Sequence, residues 1–350
     1  MFSPDYHNIV NAAQNKKSSR IPLYEHIISH KIMETMMGKK FADFFNGGLE
    51  DKKEFFRNYC DFFRSFGYDT VSFECCVGPI MPGSGALGNH KDGVIKTRAD
   101  FDSYPWDRIP DLFFEAYRDY FRALEEVMPP GMKAIGGVGN GVFECVQDIV
   151  GFQELCYIKA DDKELYRDLF ARVGDILVLI WGRFLKEFGD LYCVCRFGDD
   201  LGFKSSTLIS ADDIRRLVVP QYKRVIDLVH SGGWPFLFHS CGCIFDVMND
   251  IIDIAGIDAK HSNEDVISPY SRWINDYGNK IGNFGGLDTD VLCDSSSADL
   301  VSYTTSIYRL CEAKGRGAAI GSGNSIPDYV SPDRYGQMLD TVRKLRKDDD

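Results

Sequence analysis

The chain has 350 residues, of which 44% are hydrophobic and 26% charged, an ordinary composition for a globular protein. Its net charge of −12 argues against nucleic acid or an anionic membrane as a partner, because both are bound through basic patches. No stretch reaches the roughly 18 apolar residues that a membrane-spanning helix needs.

The cysteines and the N-terminus indicate a reducing compartment. There are 11 cysteines, an odd number, and several lie in apolar strand-like runs, which is unlike a disulfide framework. The first residues lack the charged-then-apolar pattern of a signal peptide. We therefore expect a soluble, cytoplasmic protein.

The chain then alternates apolar strand-like runs with helical patterns. Residues 1–20 form a polar N-terminal arm, and the apolar run after it ends at Glu25 and His26. Two helical patterns follow, and a strand over 70–77 then carries Glu74 near its far end.

A long loop and two further strand ends come next. The segment 78–100 is rich in glycine and proline in its first half and too long for a simple connection, which is typical of an active-site loop. A strand near residue 133 leads to Asn140 and to a helix through Glu144, and a strand over 191–197 is followed by Asp199.

The most informative stretch lies in the second half. After a helix capped by Ser210 and interrupted by Pro220, an apolar run over 234–238 is too short for a helix and ends in His239-Ser-Cys241-Gly. A His-x-Cys pair there can give an imidazole nitrogen and a thiolate to zinc. On spacing alone, a packed histidine and cysteine at a strand end remain the alternative.

Short apolar strands near residues 256, 281 and 318 bring the count to about eight strands alternating with helices, with no obvious linker. This pattern predicts an α/β fold, a single (β/α)8 TIM barrel over residues 1–350 with an N-terminal helical extension.

In such a barrel the carboxyl ends of all strands meet at one mouth, so polar residues distant in sequence converge there. The strand-end candidates are Glu25, His26, Glu74, Asn140, Glu144, Asp199, Asp200, His239, Cys241, Asp288, Ser322 and Asn324. Each has a structural alternative: Glu74 could pair with a lysine or arginine, and Asp199 could cap a turn. Their convergence favours a catalyst.

Five segments carry a resemblance to a known family. They are Asp199-Asp-Leu-Gly202, Leu208-Ile-Ser210, His239-Ser-Cys-Gly242, Gly285-Gly-Leu-Asp288 and Gly321-Ser-Gly-Asn-Ser-Ile-Pro327. In this order they resemble the uroporphyrinogen decarboxylase superfamily, which implies the same barrel. The superfamily contains haem-pathway decarboxylases and zinc methyltransferases that work with a corrinoid (cobalamin) protein. Its decarboxylases are often dimers, so a homodimer is compatible with the resemblance.

The two branches differ in residues that can be read here. The decarboxylases carry an arginine-rich clamp after the first strand, whereas this chain has Glu25 and His26. The fixed cations that would bind a poly-carboxylate substrate are therefore absent. The catalytic aspartate of the decarboxylases matches Glu74. The resemblance therefore favours the methyltransferase branch.

That branch binds zinc through His-x-Cys and a later cysteine. His239 and Cys241 match the first two ligands, but Ser322 stands at the third position. Glu74 is the first candidate to replace it, because zinc accepts oxygen ligands. Other candidates are Cys243, Cys75 and Glu144.

We therefore expect methyl transfer between a small methylated or thiol substrate and a corrinoid carried by a partner protein. Glu25, His26, Glu74 or Asp199 would handle protons, and the ligand-contacting residues would be Asn140, Asp288 and Asn324. One alternative is a metal-free decarboxylase or lyase of a small acid, with Glu74 or Asp199 as proton donor. Another is a catalytically silent barrel that binds a corrinoid or tetrapyrrole.

Overall fold

Seven parallel strands form one curled sheet. The computed structural model describes residues 2–88 and 91–348. The strands are β1 (Val71–Cys76), β2 (Ala134–Gly139), β3 (Tyr192–Gly198), β4 (Phe236–His239), β5 (Ala259–His261), β6 (Gly282–Leu287) and β7 (Ala318–Ser322). Their order in the sheet follows the chain, so all carboxyl ends lie on one rim.

The predicted first strand is present as a short extended segment between β7 and β1. Tyr24 N–H donates to the carbonyl of Ile320 at 2.8 Å, and Ile320 N–H donates to the carbonyl of Pro22 at 2.9 Å. On the other side, the Ser72 hydroxyl of β1 donates to the carbonyl of Glu25. This segment fills the eighth position of the barrel, so the predicted (β/α)8 fold is confirmed.

Helices connect the strands and cover the outside of the sheet. They are α1 (His7–Ala13), α2 (His30–Met37), α3 (Leu49–Ser65), α4 (Arg98–Ser103), α5 (Ile109–Val127), α6 (Val142–Val150), α7 (Phe152–Asp161), α8 (Lys163–Phe188), α9 (Ala211–Asp213), α10 (Val219–Ser231), α11 (Phe245–Asp250), α12 (Tyr270–Tyr277), α13 (Thr289–Asp294), α14 (Ser297–Lys314) and α15 (Pro332–Arg346).

The N-terminal extension closes the amino end of the barrel. Ile9, Ala12 and Ala13 of α1 are fully buried against the inward-facing side chains of the strands. The inward-facing side chains in this cluster are Ile135, Val194, Leu237, Ala259, Phe284 and Ala319. With one end closed by apolar packing, ligands reach the interior from the opposite rim.

The helix after β3 departs from a regular α-helix where Pro220 predicted a kink. The Ser210 hydroxyl caps α9, and a π-helical turn over Ile214–Val218 joins α9 to α10 just before Pro220. The wider turn accommodates a residue that has no N–H to donate. It also sets the position of Tyr222, whose hydroxyl reaches the rim.

The long loop after β1 is anchored on α6. The Asp148 carboxylate accepts from the N–H groups of Gly85 and Leu87, both at 3.0 Å, and Val94 N–H donates to the carbonyl of Ile149 at 2.7 Å. Asn89 and His90 of this loop lie outside the described residues. None of the described helices is both long enough and apolar enough to cross a membrane.

Candidate functional site

The predicted pair His239 and Cys241 lies at the carboxyl rim, where the two side chains face each other. His239 ends β4, and its Nε2 is 3.5 Å from the Sγ of Cys241. In a tetrahedral site, Zn–S of about 2.3 Å and Zn–N of about 2.0–2.1 Å place the two ligand atoms about 3.5 Å apart. The observed spacing therefore fits two ligands of one zinc ion.

A third group completes this pair, and it is Asp200. Its Oδ1 is 3.8 Å from His239 Nε2 and accepts the N–H of Cys241 at 2.8 Å. Its ligand atom lies within 4.8 Å of those of His239 and Cys241. The carboxylate is half-exposed, so the open side of the group faces the mouth.

A hydrogen-bonded relay fixes the tautomer of His239. The Nε2 of His261 lies 3.0 Å from the carbonyl oxygen of Ser322, which can only accept, so this nitrogen carries a proton. Burial lowers the pKa of His261 to about 3, so its Nδ1 is a bare acceptor. The Nδ1 of His239, 2.8 Å away, must then donate to it, which leaves the Nε2 lone pair of His239 facing Cys241. This is the arrangement of a metal-binding histidine held by an outer partner.

The sulfur of Cys241 has two donors of its own. Asn324 Nδ2 lies 3.4 Å from Sγ, and the hydroxyl of Ser262 lies 3.7 Å from it. Burial, with the charge of Asp200 adding to it, raises the pKa of the Cys241 thiol to about 12. A cation bound at the sulfur would reverse this effect, since a coordinating thiol is deprotonated.

Glu74, the expected third ligand, is engaged elsewhere. Its Oε2 accepts from Nε of Arg196 at 2.9 Å and lies 2.8 Å from the second guanidinium nitrogen. Arg196 is fully buried and also donates to the Tyr24 hydroxyl at 2.7 Å. The structure groups Asp200, not Glu74, with His239 and Cys241. The ion pair of Glu74 with Arg196 is the structural alternative given for Glu74 in the sequence analysis.

His26 lies between His239 and the ion pair of Glu74 with Arg196. Its ring stacks on that of His239, with centroids 4.0 Å apart and planes inclined by 8°, and its Nε2 is 3.9 Å from Glu74 Oε1. Burial lowers the pKa of His26 well below its ordinary value, so the imidazole is neutral. Its Nδ1 is buried and lacks a hydrogen-bond partner among the described residues.

The two other predicted acid–base residues are fully buried. Asp199 accepts from the N–H groups of Phe143 at 2.9 Å and Glu144 at 2.7 Å, and from the Tyr222 hydroxyl. It therefore caps the first turn of α6, which is the structural alternative for this residue, although burial still raises its pKa to about 7. Glu25 contacts Ser322 and is separated from solvent.

Of the predicted ligand-contacting residues, Asp288 and Asn324 line one cavity, and Asn140 lines another. Asn140 accepts from the N–H of Gly78 at 3.1 Å and donates to Glu144 at 2.9 Å. It lines a cavity of about 540 Å³ beneath the loop after β1. Asp288 caps α13 and accepts the N–H of Asp265 at 2.6 Å, so its oxygens are used within the fold. Asn324 touches the sulfur directly.

Sequence reasoning missed His261 and Arg196, and it did not assign Asp200 to the metal. The strand near residue 256 was expected to end before His261, although the alternation of Ala259 and His261 within a strand places both inward. Arg196 lies within an apolar strand, and its burial could not be read from the sequence without knowing its partner Glu74.

A family model described as uroporphyrinogen decarboxylase (URO-D) matches residues 7–345. The comparison with curated proteins found no match. Among solved structures, a methyltransferase from Methanosarcina mazei superposes with a TM-score of 0.71 at 13% identity, covering 97% of this chain and 98% of that chain. A family 5 glycoside hydrolase from Prevotella bryantii reaches a TM-score of 0.47 at 11% identity, covering 83% and 86%.

Proposed function

Because this chain belongs to the uroporphyrinogen decarboxylase family, we propose that it is the methyltransferase form of this fold rather than a tetrapyrrole decarboxylase. It would move a methyl group between a small methylated or thiol substrate and a corrinoid carried by a partner protein. The structural likeness to the Methanosarcina mazei methyltransferase over nearly the whole of both chains supports this proposal.

The observation that carries the proposal is the group of His239, Cys241 and Asp200 at the mouth. A nitrogen and a sulfur at zinc spacing, a fixed histidine tautomer and a carboxylate open to solvent are what a catalytic zinc site with three protein ligands needs. Zinc held there would act as a Lewis acid that stabilises a substrate thiolate or alkoxide.

Two further groups at the mouth, His26 and the ion pair of Glu74 with Arg196, lie next to His239 and support it. Neutral His26 stacks on the ring of His239 and helps to hold that side chain in place. The Glu74–Arg196 ion pair lies beside His26 and would help to fix its position, since Glu74 Oε1 is 3.9 Å from His26 Nε2.

The rim around the mouth fits a protein partner. Five exposed apolar side chains lie in the segments that follow strand ends. They are Ile27, Leu87, Phe203, Val266 and Tyr329, with exposed fractions from 42% to 75%. A protein that docks on the rim would cover these side chains. A corrinoid protein docked on this rim would bring its cofactor to the metal ligands.

Metal analysis and a methyl-transfer assay test the proposal. Purified protein should bind zinc in a 1:1 ratio and change the visible absorbance of methylcobalamin in the presence of a thiol acceptor. Cys241→Ala should abolish both signals, while Cys156→Ala, at an exposed position on α7, should abolish neither. Full methyl transfer by Cys241→Ala would contradict the proposal, and purified protein that contains no zinc would favour the lyase alternative.

A further inference from the structure

Ser322 stands where the methyltransferases are expected to carry their third metal-binding cysteine, and here it contacts the supports of both remaining ligands. Its carbonyl oxygen accepts from Nε2 of His261 at 3.0 Å, and His261 sets the tautomer of His239. Its hydroxyl lies 2.9 Å from the carbonyl oxygen of Asn324, and the side chain of Asn324 donates to Cys241 Sγ. One residue is thus linked to both ligands through one intermediate each.

The orientation of the Ser322 hydroxyl depends on whether Glu25 carries a proton. The hydroxyl has one proton and two neighbouring oxygens, the carbonyl of Asn324 at 2.9 Å and Oε2 of Glu25 at 2.5 Å. A carbonyl oxygen can only accept, so the hydroxyl donates to Asn324 only if Glu25 supplies the other proton. Full burial raises the pKa of Glu25 to about 8, which agrees with a carboxylic acid at neutral pH.

Backbone contacts also hold Ser322 close to the carboxyl group of Glu25. Ser322 N–H donates to both carboxyl oxygens of Glu25, at 3.0 and 3.2 Å. Its neighbour Gly321 has no room for a side chain, because a Cβ there would lie 1.6 Å from the carbonyl oxygen of Tyr24. The end of β7 is therefore pressed against the Pro22–Glu25 segment, and the carboxyl group of Glu25 holds Ser322 in one orientation.

We propose that Ser322, anchored by the neutral carboxyl group of Glu25, is a positioning residue that orients both His239 and Cys241 for the metal. The position at which the resemblance implies a third ligand would here support His239 and Cys241 from outside the metal. This inference rests on the proposed zinc site and adds the residues that organise it.

The experiment measures zinc affinity by competition with a chromophoric chelator in the full-length protein. Ser322→Ala and Glu25→Leu should each weaken zinc binding by about 10–100-fold, the usual effect of losing an outer partner of a metal ligand. Glu25→Gln should retain wild-type affinity, because its amide can donate to the Ser322 hydroxyl as the carboxylic acid does. Ser306→Ala, at an outer position on α14, is the matched control.

A second measurement uses the metal-free protein. It tests the role of Ser322 and Glu25 even if a variant folds poorly or binds no metal. Nitrogen chemical shifts of the imidazoles report the tautomers, and wild type and Glu25→Gln should both show a proton on Nδ1 of His239. Ser322→Ala and Glu25→Leu should show a mixture of tautomers. If the wild type binds zinc and all four variants bind it with equal affinity, the inference is overturned. An unchanged His239 tautomer in Glu25→Leu would overturn it as well. A wild type that binds no zinc would instead contradict the proposed function.

Discussion

At the scale of single residues, the site contains charges and protons that the fold holds in unusual states. Glu74 and Arg196 form an ion pair inside the barrel, and Arg196 is fully buried. Removing one partner of such a pair leaves the other charge without solvent or counter-ion, which costs far more than losing an exposed pair.

The variant Glu74→Gln should therefore lower the free energy of unfolding by about 3–5 kcal/mol. The matched control is Glu187→Gln, which breaks half-exposed pairs with Arg118 and Arg183 and should cost about 0–1 kcal/mol. Urea denaturation of the metal-free proteins measures both. If zinc affinity falls more in Glu74→Gln than in Asp200→Asn, Glu74 is a ligand and our assignment of Asp200 is wrong.

Glu25 predicts a pH dependence of stability. Its pKa is raised by burial to about 8, with hydrogen bonds from Ser322 and Tyr335 acting in the opposite direction. A carboxyl group that holds its proton more tightly in the folded state stabilises that state at low pH, and the contribution is lost as the pH rises from the unfolded pKa to the folded one.

Between about pH 5 and pH 8, wild type should lose stability relative to Glu25→Gln by up to about 1.4 kcal/mol per pH unit. The difference between the two proteins should level off above pH 8. Denaturation curves at several pH values, with metal removed, measure it. Parallel pH profiles would show that Glu25 titrates alike in the folded and unfolded chain.

At the scale of elements, the turn after β4 decides whether the side chains of His239 and Cys241 meet. Gly242 has a positive φ of 80°, and a Cβ there would lie 2.2 Å from the carbonyl carbon of Gly202 in the loop after β3. The turn that carries Cys241 is thus packed against the segment that carries Asp200, and only glycine permits that approach.

Gly242→Ala should displace this turn and weaken zinc binding at least 10-fold. Gly233 offers a matched control, since its φ is 90° but no atom lies within 4 Å of a Cβ placed there. Gly233→Ala should cost about 1–2 kcal/mol of backbone strain and leave zinc affinity unchanged. Equal zinc affinity in the two variants would contradict the role of the Gly242 contact.

At the scale of the whole molecule, the barrel could be predicted from the alternation of short apolar strands with helices. The meeting of His239 and Cys241 at the rim could be predicted because a strand end and the turn after it carry both residues. Asp200 could not be distinguished from Asp199, since adjacent carboxylates differ only in the direction the backbone gives them: one caps α6 and the other faces His239. The role of Ser322 depends on contacts with Glu25, nearly 300 residues away, which no local pattern encodes.

A ligand that binds only the folded barrel must also stabilise it. Zinc at 100 times its dissociation constant should add about 2.7 kcal/mol to the free energy of unfolding of the wild type. Cys241→Ala should gain nothing at the same zinc concentration, because a single imidazole and a carboxylate bind weakly. Equal stabilisation of both proteins would place the metal elsewhere in the molecule.

X-ray absorption of the zinc-loaded protein tests most directly whether one sulfur, one imidazole and one carboxylate hold the metal. We expect a single sulfur neighbour at about 2.3 Å, with the remaining nitrogen and oxygen neighbours at about 2.0–2.2 Å. A first shell with no sulfur, or with two, would contradict this expectation.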